Sequence, residues 1–391
     1  WPRVAAATSY DIDYRINGAA WQTGAVNADN NSRSYEVVEG THTDTVEVRV
    51  RAKNSFGSSA YTLNSVTIPL WAPILLKGNW TDYSSEYSTA AYTKTKAGLV
   101  LFKGLVKNSG SPVINEILGT IPYDYRPTGR LMFGTSTNSN VSARVDVGAT
   151  GEDTNIYFQD GGSGPWYSLE SVRYIAAEES YTRTLPTLLN GFSNYGGSYA
   201  PASYVQDSTG RVSIQGLLAN GTRTNGTTIF NIPANLRPAK YQHHSSRSGT
   251  FHHLGIDATS GLLAKGDGTG AYSINVSYLP STYSGTWTNL TLVNSWAWYD
   301  ASSGMFSTPQ YTKTSDNVVH LKGLIRSGST TYDTVIATLP AGFRPKARIL
   351  TTTTNTSVYS RIDILPDGQV RFMGSTNNWL SLDTISFVAE Q

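Results

Sequence analysis

One pattern occurs three times in tandem over about 320 of the chain's 391 residues, which limits this stretch to a row of homologous small domains. In each copy a tyrosine is followed twelve residues later by a glycine: Tyr92 to Gly104, Tyr204 to Gly216, Tyr311 to Gly323. The motif Pro-x-x-x-Arg-Pro follows at 122–127, 233–238 and 340–345, carrying Arg126, Arg237 and Arg344. An aspartate comes next (Asp146, Asp257, Asp363), 24, 24 and 23 residues after the first proline of the motif. Each copy opens on an aromatic pair: Trp80/Tyr83, Phe192/Tyr195, Trp296/Tyr299. The first and third close on Trp-x-Ser-Leu at Trp166 and Trp379, where the second has only Tyr272-Ser-Ile. The spacing predicts modules at 71–180, 181–284 and 285–391 behind a leading domain at 1–70, each module at ~110 residues large enough for its own core.

Within a module about eight short apolar segments alternate with Gly, Pro, Asn and Ser turns, the spacing of a β-sandwich or jelly roll. Only 15% of residues are charged, too few to coat exposed helices, while the 24 tyrosines and many Thr and Val suit half-buried strands. The fold class expected is all-β. A formal net charge of +2 with no basic run argues against a nucleic-acid partner, and no stretch approaches the ~20 apolar residues of a membrane span. Cysteine is absent, which excludes disulfides, thiolate metal sites and cysteine nucleophiles together.

In residues 1–70, Tyr10, Ile12 and Tyr14 alternate, as do Val46, Val48, Val50 and Ala52, the period of half-buried strands. The order Trp1, Tyr10 to Tyr14, Trp21, then Val48-Arg-Val-Arg-Ala-Lys-Asn54 and Gly57-Ser-Ser-Ala-Tyr61 resembles a fibronectin type III domain that starts at its second strand. That resemblance implies a truncated sandwich acting as a spacer, and a chain that is the tail end of a longer polypeptide. The repeats resemble a module of bacteriophage tail proteins. The carrying residues are Tyr-x5-Gly-x-Val-x-Leu-x-Gly-Leu, Leu-Pro-Ala-Gly-Phe-Arg-Pro at 339–345, Arg-Ile-Asp-Ile-Leu-Pro-Asp-Gly at 361–368 and Trp379-Leu-Ser-Leu, with the third module fitting best. The resemblance implies a tail fibre or central tail-tip protein that binds a host-cell glycan or surface protein, works as a homotrimer with other tail proteins, sits at the host-facing end of the virion and has no catalytic role. A polysaccharide-degrading tailspike and a purely structural fibre shaft are the alternatives.

Residues that recur in all copies read as scaffold, so Asp146, Asp257 and Asp363 are expected in turns or paired with arginine, and the Arg-Pro arginines in extended chain. Glycoside hydrolysis needs two carboxylates about 5–10 Å apart, and the pairs Glu152/Asp153 and Glu178/Glu179 sit in polar turns or linkers. His243, His244, His252 and His253 flank a Ser-Ser-Arg-Ser-Gly turn at 245–249; a hairpin there makes His243 and His252 candidate ligands for a transition metal. Receptor contacts are expected at aromatic and histidine side chains that break the repeat. Trp298 stands where the other copies have Asp82 and Asn194, Tyr332 where they have Ile114 and Asn225, and Tyr359 where they have Ser142 and His253. These four, Trp298, Tyr332, Tyr359 and His253, are the candidate receptor-binding residues.

Overall fold

The computed structural model describes residues 4–29, 44–67, 70–138, 141–148, 153–160, 164–247, 251–264, 270–300, 302–355, 358–374 and 379–390; Trp1 and Glu152 lie outside them. The chain is all-β: its described residues form antiparallel strands, with two single 3-10 turns, Tyr123–Tyr125 and Ala234–Leu236, and no α-helix. Two compact units result, one of residues 1–72 with 93–96, the other of 73–92 with 97–391.

The described strands of the first unit make one sheet in which Ser9–Ile16 lies between Gln22–Asp29 and Thr45–Asn54, and the latter also pairs with Gly57–Ser58 and Thr62–Thr67. The period-2 alternation sorts its faces. Tyr10, Ile12, Tyr14 and Ile16 oppose Ala52, Val50, Val48 and Val46. On the other face Asp11, Asp13 and Arg15 stand directly across from Arg51, Arg49 and Glu47, and all three pairs form salt bridges of 2.6–2.8 Å. Trp21 lies against Arg15 and Arg49 on this ionic face, with guanidiniums 4.6 and 4.3 Å from its ring. The resemblance implied a two-sheet sandwich; among the described residues this unit has a single sheet.

The second unit repeats one set of sheets three times. A long hairpin forms one edge of a four-stranded run in the second and third modules: Thr228–Asn231, Gly261–Ala264, Phe251–Ile256, Gln242–Arg247, and Thr334–Thr338, Gln369–Phe372, Val358–Ile364, Ile349–Asn355. The first module has the same run, Glu116–Thr120, Asn155–Phe158, Val141–Val147, Leu131–Asn138, with Leu75–Leu76 added at the far side. A three-stranded sheet packs beside it: Trp80–Asp82, Leu105–Asn108, Tyr167–Ser168; Phe192–Asn194, Leu217–Asn220, Tyr272–Ser273; Ala297–Trp298, Leu324–Arg326, Leu380–Ser381. The recurring Trp80, Phe192 and Trp296 sit in the cores between sheets, where Trp296 meets Phe372 edge-on at 5.4 Å. The recurring Gly104, Gly216 and Gly323 have φ of +119°, +142° and +112°. A Cβ at any of them would stand 2.6–2.8 Å from backbone of Ala90, Ala202 or Pro309, so only glycine fits the crossing.

Arg126 and Arg237 have ψ of 153° and 149°, the extended form a following proline enforces, although each is preceded by a 3-10 turn rather than a strand. Each arginine also ties its module shut. Arg237 and Arg344 donate through Nε to the carbonyls of Ile232 and Leu339, and Arg126 bonds Glu178 at 3.0 Å.

Candidate functional site

The modules do not hang in a row; they close into a ring. Ser168, Ser273 and Ser381 hold the same place in their modules, and each hydroxyl donates to a neighbour's backbone carbonyl: Ser168 to Leu350, Ser273 to Met132, Ser381 to His243, at 2.7–2.9 Å. Module one thus grips three, two grips one, and three grips two. A second contact has the same cyclic order. Tyr87, Tyr199 and Phe306, on the loops before the recurring Tyr-to-Gly hairpins, form parallel bridges with Arg348, Arg130 and Tyr241 of the neighbours. Heterologous contacts that close after three steps define a pseudo-threefold axis. The strands Leu131–Asn138, Gln242–Arg247 and Ile349–Asn355 line it, each against the other two.

Strand pairing shows which side chains are equivalent. Met132 pairs with Asp146 and Leu350 with Asp363, but their counterpart His243 pairs with Gly255. The sequence reading of Asp257 as the third member is therefore corrected. The hairpin turns differ in length: five residues separate Ser136 from Ser142, four separate Thr354 from Tyr359, and three separate Arg247 from Phe251. Asp257 falls two residues beyond the equivalent position, in a turn where it accepts from the hydroxyls of Thr259 and Ser260. These bonds hold its carboxyl below its ordinary pKa against the opposing effect of burial.

With that register, modules one and three place an Arg–Arg–Asp cluster where module two places an aromatic set. Asp146 is fully buried and takes Nε of Arg130 at 2.9 Å, Nε of Arg144 at 2.8 Å and the Tyr199 hydroxyl at 3.1 Å. Asp363, also fully buried, takes Nε of Arg348 at 2.8 Å and of Arg361 at 2.6 Å, and Arg361 lies 4.9 Å from the ring of Trp166 in the neighbouring module. At the third seam Tyr241, His253 and Gly255 replace Arg, Arg and Asp. There His243 stacks on Phe306 at 5.4 Å and meets Trp379 at 4.6 Å, with His253 6.1 Å from Trp379.

Two receptor candidates therefore move inside. His253 is 5% exposed, and Tyr359 is 8% exposed with its hydroxyl donating to Ser136 across a seam at 2.6 Å. Both pack between modules because the hairpin that carries them is covered by a neighbour, which a single module's pattern does not reveal. The proposed metal pair does not assemble either. His243 turns to the seam, whereas His252, opposite Ser246, stacks on Tyr272 at 4.0 Å in the module core. Among the described residues no group of three or more His, Asp or Glu could hold a metal ion. The expected turn at 245–249 begins later, since Ser245, Ser246 and Arg247 belong to the strand.

Trp298 is half-buried, and its place has a local cause. At the equivalent positions Asp82 and Asn194 accept the backbone N–H of Ala90 and Ala202 at 2.7 and 2.8 Å. In module three the partner is Pro309, which has no N–H, so no acceptor is needed there. Asp300 instead closes the longer loop, accepting the backbone N–H of Ser303 and Phe306; these bonds, with the Ser303 hydroxyl foremost, bring its pKa down to about 2.

Tyr332 remains at the surface, 54% exposed, and its counterpart Ile114 is 58% exposed. Each stands just before a residue with left-handed backbone: Asn115 (φ +69°), Gly226 (φ +88°) and Asp333 (φ +66°), which donate N–H to Phe158, Ala264 and Phe372. The tips Ile114, Asn225 and Tyr332 are thus fixed at one level around the axis. Their loops are braced as well: Glu116 accepts from Asn108 and from the N–H of Val113, and Arg371 bonds the Asp333 carboxylate at 2.6 Å. The three tips carry one aliphatic, one amide and one phenolic side chain. Ile114 was legible in the sequence only as the counterpart of Tyr332. No protein-family model matches this chain, and no curated protein matches its sequence significantly.

Proposed function

We propose that the chain is a non-catalytic host-contact module of a bacteriophage tail fibre or tail tip, binding a cell-surface glycan or protein through the loop tips at Ile114, Asn225 and Tyr332. The observation that carries this reading is the pairing of exposure with rigidity at Tyr332: a half-exposed phenol on a loop pinned by Arg371 loses little freedom on binding. The repeat resemblance to phage tail modules supplies the partner class and the location at the distal end of a virion. Competition of the purified chain against phage adsorption tests it. Tyr332→Ala is expected to weaken cell binding by more than ~1 kcal/mol, about fivefold, with an unchanged melting temperature. Unaltered binding by Tyr332→Ala and Ile114→Ser together sinks the reading.

The same reading includes an assembly state. A homotrimer was expected from the fibre resemblance; we propose instead that this chain supplies threefold geometry as a monomer, since its equivalent surfaces are already used between its own modules. Light scattering is expected to give a mass near 42.4 kDa at micromolar concentration. A threefold larger mass restores the homotrimer.

A further inference from the structure

Where the three modules meet, the axis encloses a polar cavity of about 20 Å³, lined among others by Gly134, Ser171 and Arg173 of module one, Ser245 of module two, and Thr352 and Thr384 of module three. Room of this order takes one water-sized particle. Hydroxyls from all three modules meet here: Ser171 and Ser245 lie 3.3 and 3.2 Å from the hydroxyl of Thr352. Arg173 is 9% exposed and donates through Nη2 to the carbonyl of Thr384, while its buried Nε and Nη1 have no hydrogen-bond partner.

Among the described residues no acidic group answers this guanidinium. The other buried cation in range, Arg211, is taken up by Asp207 at 2.6 Å and Asp316 at 2.8 Å. His320, also close enough to interact, is held neutral by burial and by the two arginines. Glu170 and Asp383, next in sequence to Ser171 and Thr384, turn to the backbone N–H of Gly104 and Gly323 and do not line the cavity. Burial and the charge of Arg211 together lower the Arg173 pKa to about 10, so the side chain stays protonated at neutral pH. An unanswered buried positive charge costs several kcal/mol unless a counter-charge reaches it.

We propose that the axial cavity is a halide site, in which a chloride-sized anion accepts from Arg173 Nε or Nη1 and from the hydroxyls around it. A space of about 20 Å³ takes a single-atom anion. The site holds the three modules to one another, so ligand binding stabilises the closed ring by mass action.

The test uses the whole chain. Crystals grown in bromide are expected to show an anomalous peak against the Arg173 guanidinium. At constant ionic strength, exchanging gluconate for chloride is expected to raise the unfolding midpoint, climbing with log concentration above the dissociation constant. Arg173→Ser, which installs the residue found at the equivalent Ser277 and Ser386, is expected to abolish that dependence. A cavity holding water alone overturns the proposal, as does equal stability in gluconate and chloride. A bromide peak without any halide dependence in solution means an adventitious ion only and also overturns it. If Arg173→Ser does not fold, the two wild-type measurements decide.

Discussion

Asp363→Ala is expected to cost about 3–5 kcal/mol, the largest effect of any single substitution considered for this chain. The carboxylate is fully buried at a seam between modules three and one and holds Arg361, itself 3% exposed, together with Arg348. Burial by itself would lower the pKa of Arg361, yet the hydrogen bond and charge of Asp363 outweigh it and raise it, a sign of how closely the pair depends on each other. Removing the anion leaves the buried Arg361 guanidinium beside Trp166 without its counter-charge. The denaturant midpoint of the second unit reads the loss. A control comes from module two: adding Arg348→Tyr and Arg361→His to Asp363→Gly transplants the set found at Tyr241, His253 and Gly255, and should recover part of the loss, because groups in one network are not additive. A loss below ~1 kcal/mol for Asp363→Ala would mean that the Arg348–Arg361–Asp363 cluster contributes little to the seam.

The second expected result concerns pH. His244 is fully buried, and burial, aided by the charge of Arg173, drops its pKa to about 3. The folded chain therefore keeps it neutral where the unfolded chain, at the ordinary value of 6.5, takes up a proton. Its contribution to stability is complete above about 6.5 and fades as pH falls toward 3, by about 2 kcal/mol at pH 5. Two carboxyls act in the opposite sense. Burial raises Glu170 to about 7 and Asp383 to about 6, against the hydrogen bonds each accepts, so both take up protons in the fold first and favour folding as pH falls. Lys322, lowered to about 8 by burial, changes only above this window. His320, held neutral first by burial, acts in the same sense as His244, so two histidines oppose two carboxyls and the wild-type chain should vary less in stability between pH 5 and 7 than either pair alone would make it. His244→Phe, which installs the residue of module one at Phe133, removes one of the two histidines from the balance. Relative to wild type it should gain about 2 kcal/mol between pH 7 and pH 5, whatever the absolute cost of leaving Gln242 without its imidazole partner. Parallel pH profiles for the two chains would refute the assignment of neutral His244.

What could be read from the sequence was what each module does for itself. The all-β class and the extended Arg-Pro turns follow from local rules, and they stand in the structure. The seams were hidden because they belong to no single module. Gln242 to Arg247 is a strand buried along its whole length, yet it spells Gln-His-His-Ser-Ser-Arg, which a rule of apolar alternation reads as turn. Its polar groups are buried because neighbouring modules satisfy them: Asp383 accepts the N–H of His243 at 2.9 Å, and Thr384 that of Ser245 at 3.1 Å. Turn length hid the rest, since hairpins shortened by one and two residues carried the apparent third aspartate past its place. Among the candidate binding residues that break the repeat, Tyr332 stands at the surface and Trp298 is half-buried. Tyr359 broke it too, and was scaffold between modules.

That modules one and three carry an Arg–Arg–Asp cluster where module two carries Tyr, His and Gly has a consequence for how such a molecule can change over generations. In an assembly of three identical chains every substitution arrives in triplicate, so a charged seat cannot become a greasy one unless all three sites tolerate it at once. Here the seats are encoded separately. Module two could exchange Arg, Arg and Asp for Tyr, His and Gly while the other two kept the ancestral or alternative set, and the ring still closes. The same liberty reaches the rim, where one tip is isoleucine, one asparagine and one tyrosine. Three tandem copies in one chain thus present three faces whose side chains can change independently of one another.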